Sequence, residues 1–187
     1  MKINTTLWLI TLTLFLAACG GNNGGNEVSE PTRPINEFLI RSSAQVLEPR
    51  AIKAAGLLDN LGRDDYPLTL FISGDDNLRA YLKAEGLTEE EFLNSPKLEE
   101  FYKSQLVYEE IDIYMVGNGP VGNSLTYKSA AGSDITITKT DEDSGADVNG
   151  EINGVPAYLG CYRDIDYKKP TGLLCYADAP IVKDFAW

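Results

Sequence analysis

The residue types that most often carry catalysis are sparse in this 187-residue sequence, which contains no histidine and three cysteines. Serine–histidine–aspartate and cysteine–histidine nucleophile arrangements therefore cannot be built within the chain. Zinc sites that use histidine are excluded as well, and the cysteines are too few for a site of four thiolates. These absences argue against the common hydrolases. We expect no enzyme, no catalytic residue, no bound metal and no cofactor.

Carboxylates are abundant, and two groups of them could do chemistry. Asp75 and Asp76 could form an acid–base pair like that of a glycosidase, but adjacent aspartates before a helix are more typical of caps. We therefore predict that one of them caps a following helix, Asn77–Glu85. The acidic stretch Asp141–Asp147 could bind calcium, although its fifth and sixth residues, a glycine and an alanine, depart from the EF-hand pattern.

The N-terminal residues have the order of an export signal. Lys2 precedes an apolar run, Leu7–Leu16, which is followed at once by small residues and Cys19. Small residues directly before a cysteine resemble the lipobox of bacterial lipoproteins, in which the cysteine is acylated and becomes the mature N-terminus. The resemblance implies a signal peptide at 1–18 and a lipid-anchored, extracytoplasmic protein. An ordinary signal peptide with an incidental cysteine is the alternative.

The rest of the chain divides by composition into a linker and one domain. Residues 19–34 are rich in glycine and asparagine and cannot build a core, so they form a flexible spacer behind the lipidated end. Residues 35–187 suit a single globular domain. Gly20 after the cysteine resembles the exported class of lipoproteins, which favours the outer membrane or cell surface. The net charge of −12 argues against nucleic acid and against charge-driven membrane binding. It is compatible with divalent cations, with basic partners, or simply with solubility.

Two cysteines remain if Cys19 carries lipid. In an exported protein, the even pair Cys161 and Cys175 predicts a disulfide. A pair of buried free thiols is the alternative, and a redox-active pair would lack the usual C-x-x-C spacing.

Hydrophobic periodicity predicts helices first and strands afterwards. The expected helices are Glu37–Leu47 and Arg50–Asn60, separated near Pro49, then Asn77–Glu85, a helix with a Thr88–Glu91 capping box, and one with Pro96 at its first position. The expected strands are a fully buried one after Pro67, an alternating one over Ile111–Met115, and others at Leu125–Lys128, Asp134–Thr140, Val148–Ile152, Ala157–Tyr162 and Leu173–Ala177. This order predicts an α+β fold with a mainly antiparallel sheet.

Several of these segments resemble the motifs of fasciclin-like domains. The similar segments are Thr69–Asp76, Ala54–Leu57, the helix pair within Leu87–Leu106, the Val148-Asn149-Gly150 turn and the closing stretch Thr171–Pro180. The resemblance implies a fasciclin-like fold, in which N-terminal helices are followed by a mainly antiparallel β-sheet or sandwich core. It covers nearly all of the expected domain. Both histidines of the family pattern are replaced, one by Glu109 and one by Cys175.

The family resemblance also implies a role and candidate residues. Fasciclin-like domains are adhesion and interaction modules, which implies an unidentified envelope or surface protein or glycan as partner. Positions that the family links to receptor binding correspond here to Tyr108 and to the pair Asp164 and Ile165. The favoured interpretation of that pair is nevertheless a turn residue, Asp164, followed by a core residue, Ile165. A further candidate surface is a group of tyrosines, Tyr158, Tyr162, Tyr167 and Tyr176, which sheet packing would also explain. A small-ligand or calcium-dependent binding lipoprotein is the alternative function.

Overall fold

The computed structural model of the protein describes residues 35–41, 45–61, 67–142, 147–163, 172–182 and 185–187. The helices are α1 (Ile35–Arg41), α2 (Leu47–Ala54), α3 (Asp75–Ala84), α4 (Glu89–Leu93), α5 (Leu98–Lys103) and α6 (Ile113–Gly117), with a 3₁₀ turn at Leu58–Asn60. The strands are β1 (Leu68–Ile72), β2 (Leu106–Val107), β3 (Ser124–Lys128), β4 (Asp134–Lys139), β5 (Asp147–Ile152), β6 (Val155–Arg163) and β7 (Gly172–Tyr176). Helices precede most of the strands, so the predicted α+β class is confirmed.

Strand β1 is buried on both faces, as its apolar composition predicts. All five of its residues are buried. Leu68, Leu70 and Ile72 pack with the helices, whereas Phe71 points into a second apolar cluster on the opposite side. The strand therefore separates two cores, and its burial on both faces explains why it lacks the polar alternation of a half-exposed strand.

The seven described strands form one sheet in the order β2-β1-β7-β6-β5-β4-β3. β1 and β7 pair in parallel, and every other neighbouring pair is antiparallel. The two ends of this order also meet, because Val107 of β2 forms an antiparallel bridge with Ser129, the residue after β3. The backbone N–H of Ala130 donates to the Leu106 carbonyl at 2.7 Å and strengthens this seam. The sheet thus curls round and encloses the second core, which accounts for the expected sandwich character.

The segment over Ile111–Met115 does not form the predicted strand. It forms helix α6, which begins after Asp112, whose carboxylate accepts a hydrogen bond from the Met115 N–H at 3.0 Å. Ile113 and Val116 are buried in the enclosed core. An apolar residue at every second position is compatible with either element over so short a segment, and the aspartate cap favours the helix.

The helix boundaries differ from the sequence prediction near two prolines. Pro49 does not separate two helices, because it lies in the first turn of α2, where a missing N–H leaves no hydrogen bond unmade. Pro96 precedes α5 rather than opening it. The predicted capping box is confirmed, since the Thr88 hydroxyl accepts from the Glu91 N–H and the Glu91 carboxylate accepts from the Thr88 N–H.

Gly172 allows α1 to pack closely against the sheet. A Cβ added there would lie 2.7 Å from the Ile35 side chain and 2.8 Å from the backbone carbonyl oxygen of Leu68. The Leu68 carbonyl belongs to the neighbouring strand and cannot rotate away, so only glycine fits. Ile35 is buried against this position and fixes α1 on β7.

Aromatic side chains fill the outer end of the helical core. Tyr81, Phe92 and Phe101 pack against Phe185 and Trp187, with neighbouring ring centroids about 5 to 6.5 Å apart. The indole N–H of Trp187 donates to the Tyr81 hydroxyl at 3.1 Å. Phe185 and Trp187 are therefore packed against the core of the domain.

Candidate functional site

Tyr108 lies at the end of the sheet, immediately after β2. Its side chain is 58% exposed, although the preceding residues Leu106 and Val107 are buried. It stands next to the seam at which the two sheet edges meet. The position predicted from the family resemblance is thus an aromatic side chain held on the surface by a buried strand.

The backbone that follows Tyr108 is held in place by a single buried hydroxyl. Thr69 of β1 donates through Oγ1 to the Glu109 carbonyl at 2.9 Å and accepts from the Ile111 N–H at 3.2 Å. Ile111 is then buried in the enclosed core. Because both hydrogen bonds join the segment to the central strand, Tyr108 is presented by ordered backbone rather than by a free loop.

Exposed carboxylates follow Tyr108 along the chain. Glu109 and Asp112 are exposed, and the Asp112 N–H donates to the Tyr127 hydroxyl at 3.1 Å. Burial raises the pKa of Tyr127, and the charges of Asp112 and Glu109 raise it further. The nearby Lys103 is already paired with Glu99 at 2.6 Å. The surface therefore combines an exposed aromatic ring with negative charge, which suits a basic partner surface.

Strand β6 leads to the predicted pair Asp164 and Ile165, and it ends at the same end of the sheet as β2. One row across the sheet runs from Arg163 through Leu173 and Thr69 to Val107. Three strand spacings of about 4.8 Å place the two outer strands of this row roughly 14 Å apart. Asp164 and Ile165 themselves lie outside the described residues. Tyr108 and the exit point of β6 thus lie on neighbouring parts of the same end of the sheet.

The predicted disulfide joins the two strands next to this exit point. Cys161 of β6 lies opposite Cys175 of β7, and the two are bonded. Cys175 is fully buried in the enclosed core, while Cys161 is partly exposed. The bond ties the end of β6 to the centre of the sheet. Cys19 lies outside the described residues.

The adjacent aspartates do not form a catalytic pair, and neither of them caps its own helix as predicted. Helix α3 begins at Asp75 after Gly74, whose φ of 77° favours glycine, and it has no side-chain cap. Asp75 is buried and instead caps α2, accepting from the backbone N–H groups of Val46, Leu47 and Glu48 at 2.7, 2.8 and 3.0 Å. Asp76 is fully exposed. The carboxylate of Asp75 is therefore buried at the start of α2, whereas that of Asp76 faces solvent.

Glu48 completes a reciprocal arrangement with Asp75 that the sequence did not predict. Its carboxylate accepts from the backbone N–H groups of Ser73 and Gly74 at 3.2 and 2.7 Å, just before α3. Burial, which outweighs these hydrogen bonds, raises the pKa of Glu48 to about 7, with a further contribution from the charge of Asp75. Each helix start is thus held by a carboxylate from the other segment.

Asp75 remains ionised more readily than a free aspartate. Burial opposes its charge, but the three backbone donors and Arg79, at 3.2 Å, outweigh burial and lower its pKa. Together with Glu48, Asp75 makes a buried polar cluster that joins α2 to α3. The role of this cluster is structural, since both carboxylates are occupied by backbone donors.

The other candidate sites lie partly outside the described part of the chain. Within it, no group of three or more His, Cys, Asp or Glu side chains could hold a metal ion. The candidate calcium loop lies partly outside the described residues, and Asp141 accepts from the Asn149 amide at 2.6 Å. Of the four grouped tyrosines, only Tyr176 has a described side chain; it is half-buried, and its hydroxyl accepts from the Gln45 amide at 2.9 Å.

Comparison with known proteins identifies the fold. No protein-family model and no curated protein matches the chain in sequence. Among solved structures it is similar to a FAS1 domain pair from the insect cell adhesion molecule fasciclin I, with a TM-score of 0.65 and 12% sequence identity. The match covers 82% of this chain and 52% of that chain, so the protein spans about half the length of the structure it matches. The predicted fasciclin-like fold is confirmed.

None of the described helices is both long and apolar enough to span a membrane.

Proposed function

We propose that the protein is a membrane-tethered, extracytoplasmic interaction or adhesion module. The observation that carries this proposal is the likeness of its fold to the domain pair of a cell adhesion molecule. The missing histidines and the structural use of Asp75 support a binding role over a catalytic one. Its partner is an envelope or surface protein or glycan.

The end of the sheet beside Tyr108 is the proposed contact surface. Hot spots of binding are enriched in aromatic side chains, tyrosine among them. Tyr108 is such a side chain, it is exposed, and Thr69 holds the backbone that follows it. Glu109 and Asp112 follow it along the chain and are also exposed. The negative charge favours a basic protein surface as the partner.

Photo-cross-linking in intact cells tests this surface. p-Benzoyl-phenylalanine would be placed at position 108, and in a matched control at position 40, where Ile40 of α1 is similarly exposed at 62%. We expect mass spectrometry to find a reproducible adduct from position 108 that is absent from position 40. Identical adducts from the two positions, or none from position 108 above background, would contradict the proposed surface.

A lipid on Cys19 is the proposed tether. Several acyl chains anchor a protein firmly, because each buried methylene contributes about 0.8 kcal/mol. Replacing Cys19 with alanine should therefore abolish the incorporation of labelled palmitate and move the protein from the membrane fraction to the soluble fraction. A variant that still sediments with membranes and carries label would show that the anchor lies elsewhere.

A further inference from the structure

A groove between α2 and α4 offers a second binding site, separate from the surface at Tyr108. It has a volume of about 850 Å³, is open to solvent, and is lined by Arg50, Lys53, Ala54, Glu89, Glu90, Leu93 and Asn94. Basic side chains stand on the α2 side and acidic ones on the α4 side. The groove therefore has two walls of opposite charge, with Ala54 and Leu93 as its apolar part.

No described side chain neutralises the basic wall. Among the lysine and arginine side chains that the structure describes, four form ion pairs and two donate to backbone carbonyls: Arg41, Arg79, Lys103 and Lys128, and Lys97 and Lys139. Arg50, Lys53 and Lys83 do neither. Arg50 and Lys53 lie three residues apart in α2 and therefore on one face of that helix. They form a local positive patch in a protein whose net charge is −12.

In the described part of the chain, one of the two carboxylates in the acidic wall is unpaired. Glu89 is engaged by Arg79, whose Nε donates to it at 2.9 Å. The carboxylate of Glu90 makes no ion pair or hydrogen bond, and only its backbone carbonyl is bonded, by the Asn94 amide at 2.8 Å. An occupant of the groove would therefore meet two free cations on one side and one free carboxylate on the other.

We propose that the groove binds a peptide segment of a partner protein that carries an acidic and a basic side chain close together. The acidic side chain pairs with Arg50 and Lys53, the basic one with Glu90, and the aliphatic parts of both cover Leu93. A polyanionic glycan fits less well, because Glu89 and Glu90 would repel its successive charges. A second copy of this acidic chain is disfavoured for the same reason. The inference rests on the proposed interaction role but uses different residues.

Fluorescence anisotropy with defined peptides tests the groove. The probes are fluorescein-labelled ten-residue alanine–glycine peptides with one Glu and one Lys separated by one to four positions, together with a Glu/Glu and a Lys/Lys peptide. The full-length protein would be titrated in mild detergent at about 20 mM and 150 mM salt. We expect at least one Glu/Lys peptide to bind more tightly than both like-charge peptides, and to weaken as salt rises. No preference for any Glu/Lys peptide, or tighter binding of a heparin oligosaccharide, would overturn the proposal.

Lys53→Glu and Lys83→Glu form a matched pair of variants. Both lysines are exposed, unpaired and in the last turn of a helix, but only Lys53 lines the groove. Lys53→Glu should weaken peptide binding about fivefold or more, and Lys83→Glu less than about twofold. Equal effects would contradict the site. Tyr108→Ser should leave peptide binding unchanged, so a loss there would place the peptide on the other surface, and the two proposals fail separately.

Discussion

Replacing Asp75 with alanine is expected to lower the free energy of unfolding by about 3 kcal/mol or more. The substitution removes the acceptor of three backbone N–H groups, at Val46, Leu47 and Glu48, of which the last two belong to buried residues. A buried donor left without a partner costs about 1 to 3 kcal/mol. This is a large share of the roughly 5 to 15 kcal/mol that stabilises a typical domain. Urea unfolding followed by circular dichroism measures the change.

The neighbouring Asp76 provides the matched control. It is fully exposed, and its only described ion pair is one with Arg79 at 3.6 Å. Asp76→Ala should change the free energy of unfolding by no more than about 0.5 kcal/mol. If Asp75→Ala does not fold, Asp75→Asn, which keeps one acceptor oxygen, gives an intermediate value. Equal effects of Asp75→Ala and Asp76→Ala would show that the cap of α2 contributes little.

Glu48 is expected to make the protein less stable as the pH rises from 4.5 to 7. Because burial raises the pKa of Glu48 from 4.5 to about 7, the folded protein keeps a proton in this range that the unfolded chain has released. The free energy of unfolding should therefore fall by up to about 3 kcal/mol across this window and change little above it. Urea unfolding curves recorded at pH 5 and pH 8 measure the difference.

Glu48→Gln isolates this effect, because glutamine has the same size but does not titrate. The variant should lose most of the difference in stability between pH 5 and pH 8, even if it is less stable than the wild-type protein at both. An unchanged pH dependence in the variant would rule out Glu48 as its source.

Asp75 has the opposite dependence at lower pH. Its pKa is lowered from 3.8, so its contribution is present above that value and is lost as the pH falls through its folded pKa. The buried cluster of Glu48 and Asp75 is therefore most stabilising in mildly acidic solution, above the range in which Asp75 takes up a proton and below the range in which Glu48 loses one.

Local patterns predicted those parts of the fold that depend on neighbours in sequence. The apolar run of β1 and the capping box of α4 are both such features, and both are confirmed. The cap formed by Asp75 was assigned to the wrong helix because its partners lie 27 to 29 residues earlier in the chain. Nothing in the local sequence distinguishes an aspartate that caps its own helix from one that caps another helix.

The candidate sites likewise depend on contacts between residues that are distant in sequence. Tyr108 was found through family resemblance, and the structure adds the reason for its presentation, the two hydrogen bonds of Thr69. Glu48 gave no signal, since a glutamate before a proline in the first helical turn is expected at the surface. The groove depends on the packing of α2 against α4, whose facing residues Arg50 and Glu90 are far apart in sequence.

The seam between Val107 and Ser129 restricts how another polypeptide can attach to the described part of the sheet. The edge strand β2 is only two residues long, and the bridge to Ser129 occupies its outer side. An incoming strand would find few free backbone donors and acceptors on β2, so the sheet cannot easily be extended from this edge. The same bridge removes β2 as a template for self-association. At this edge of the sheet, any contact with another polypeptide must therefore depend on side chains.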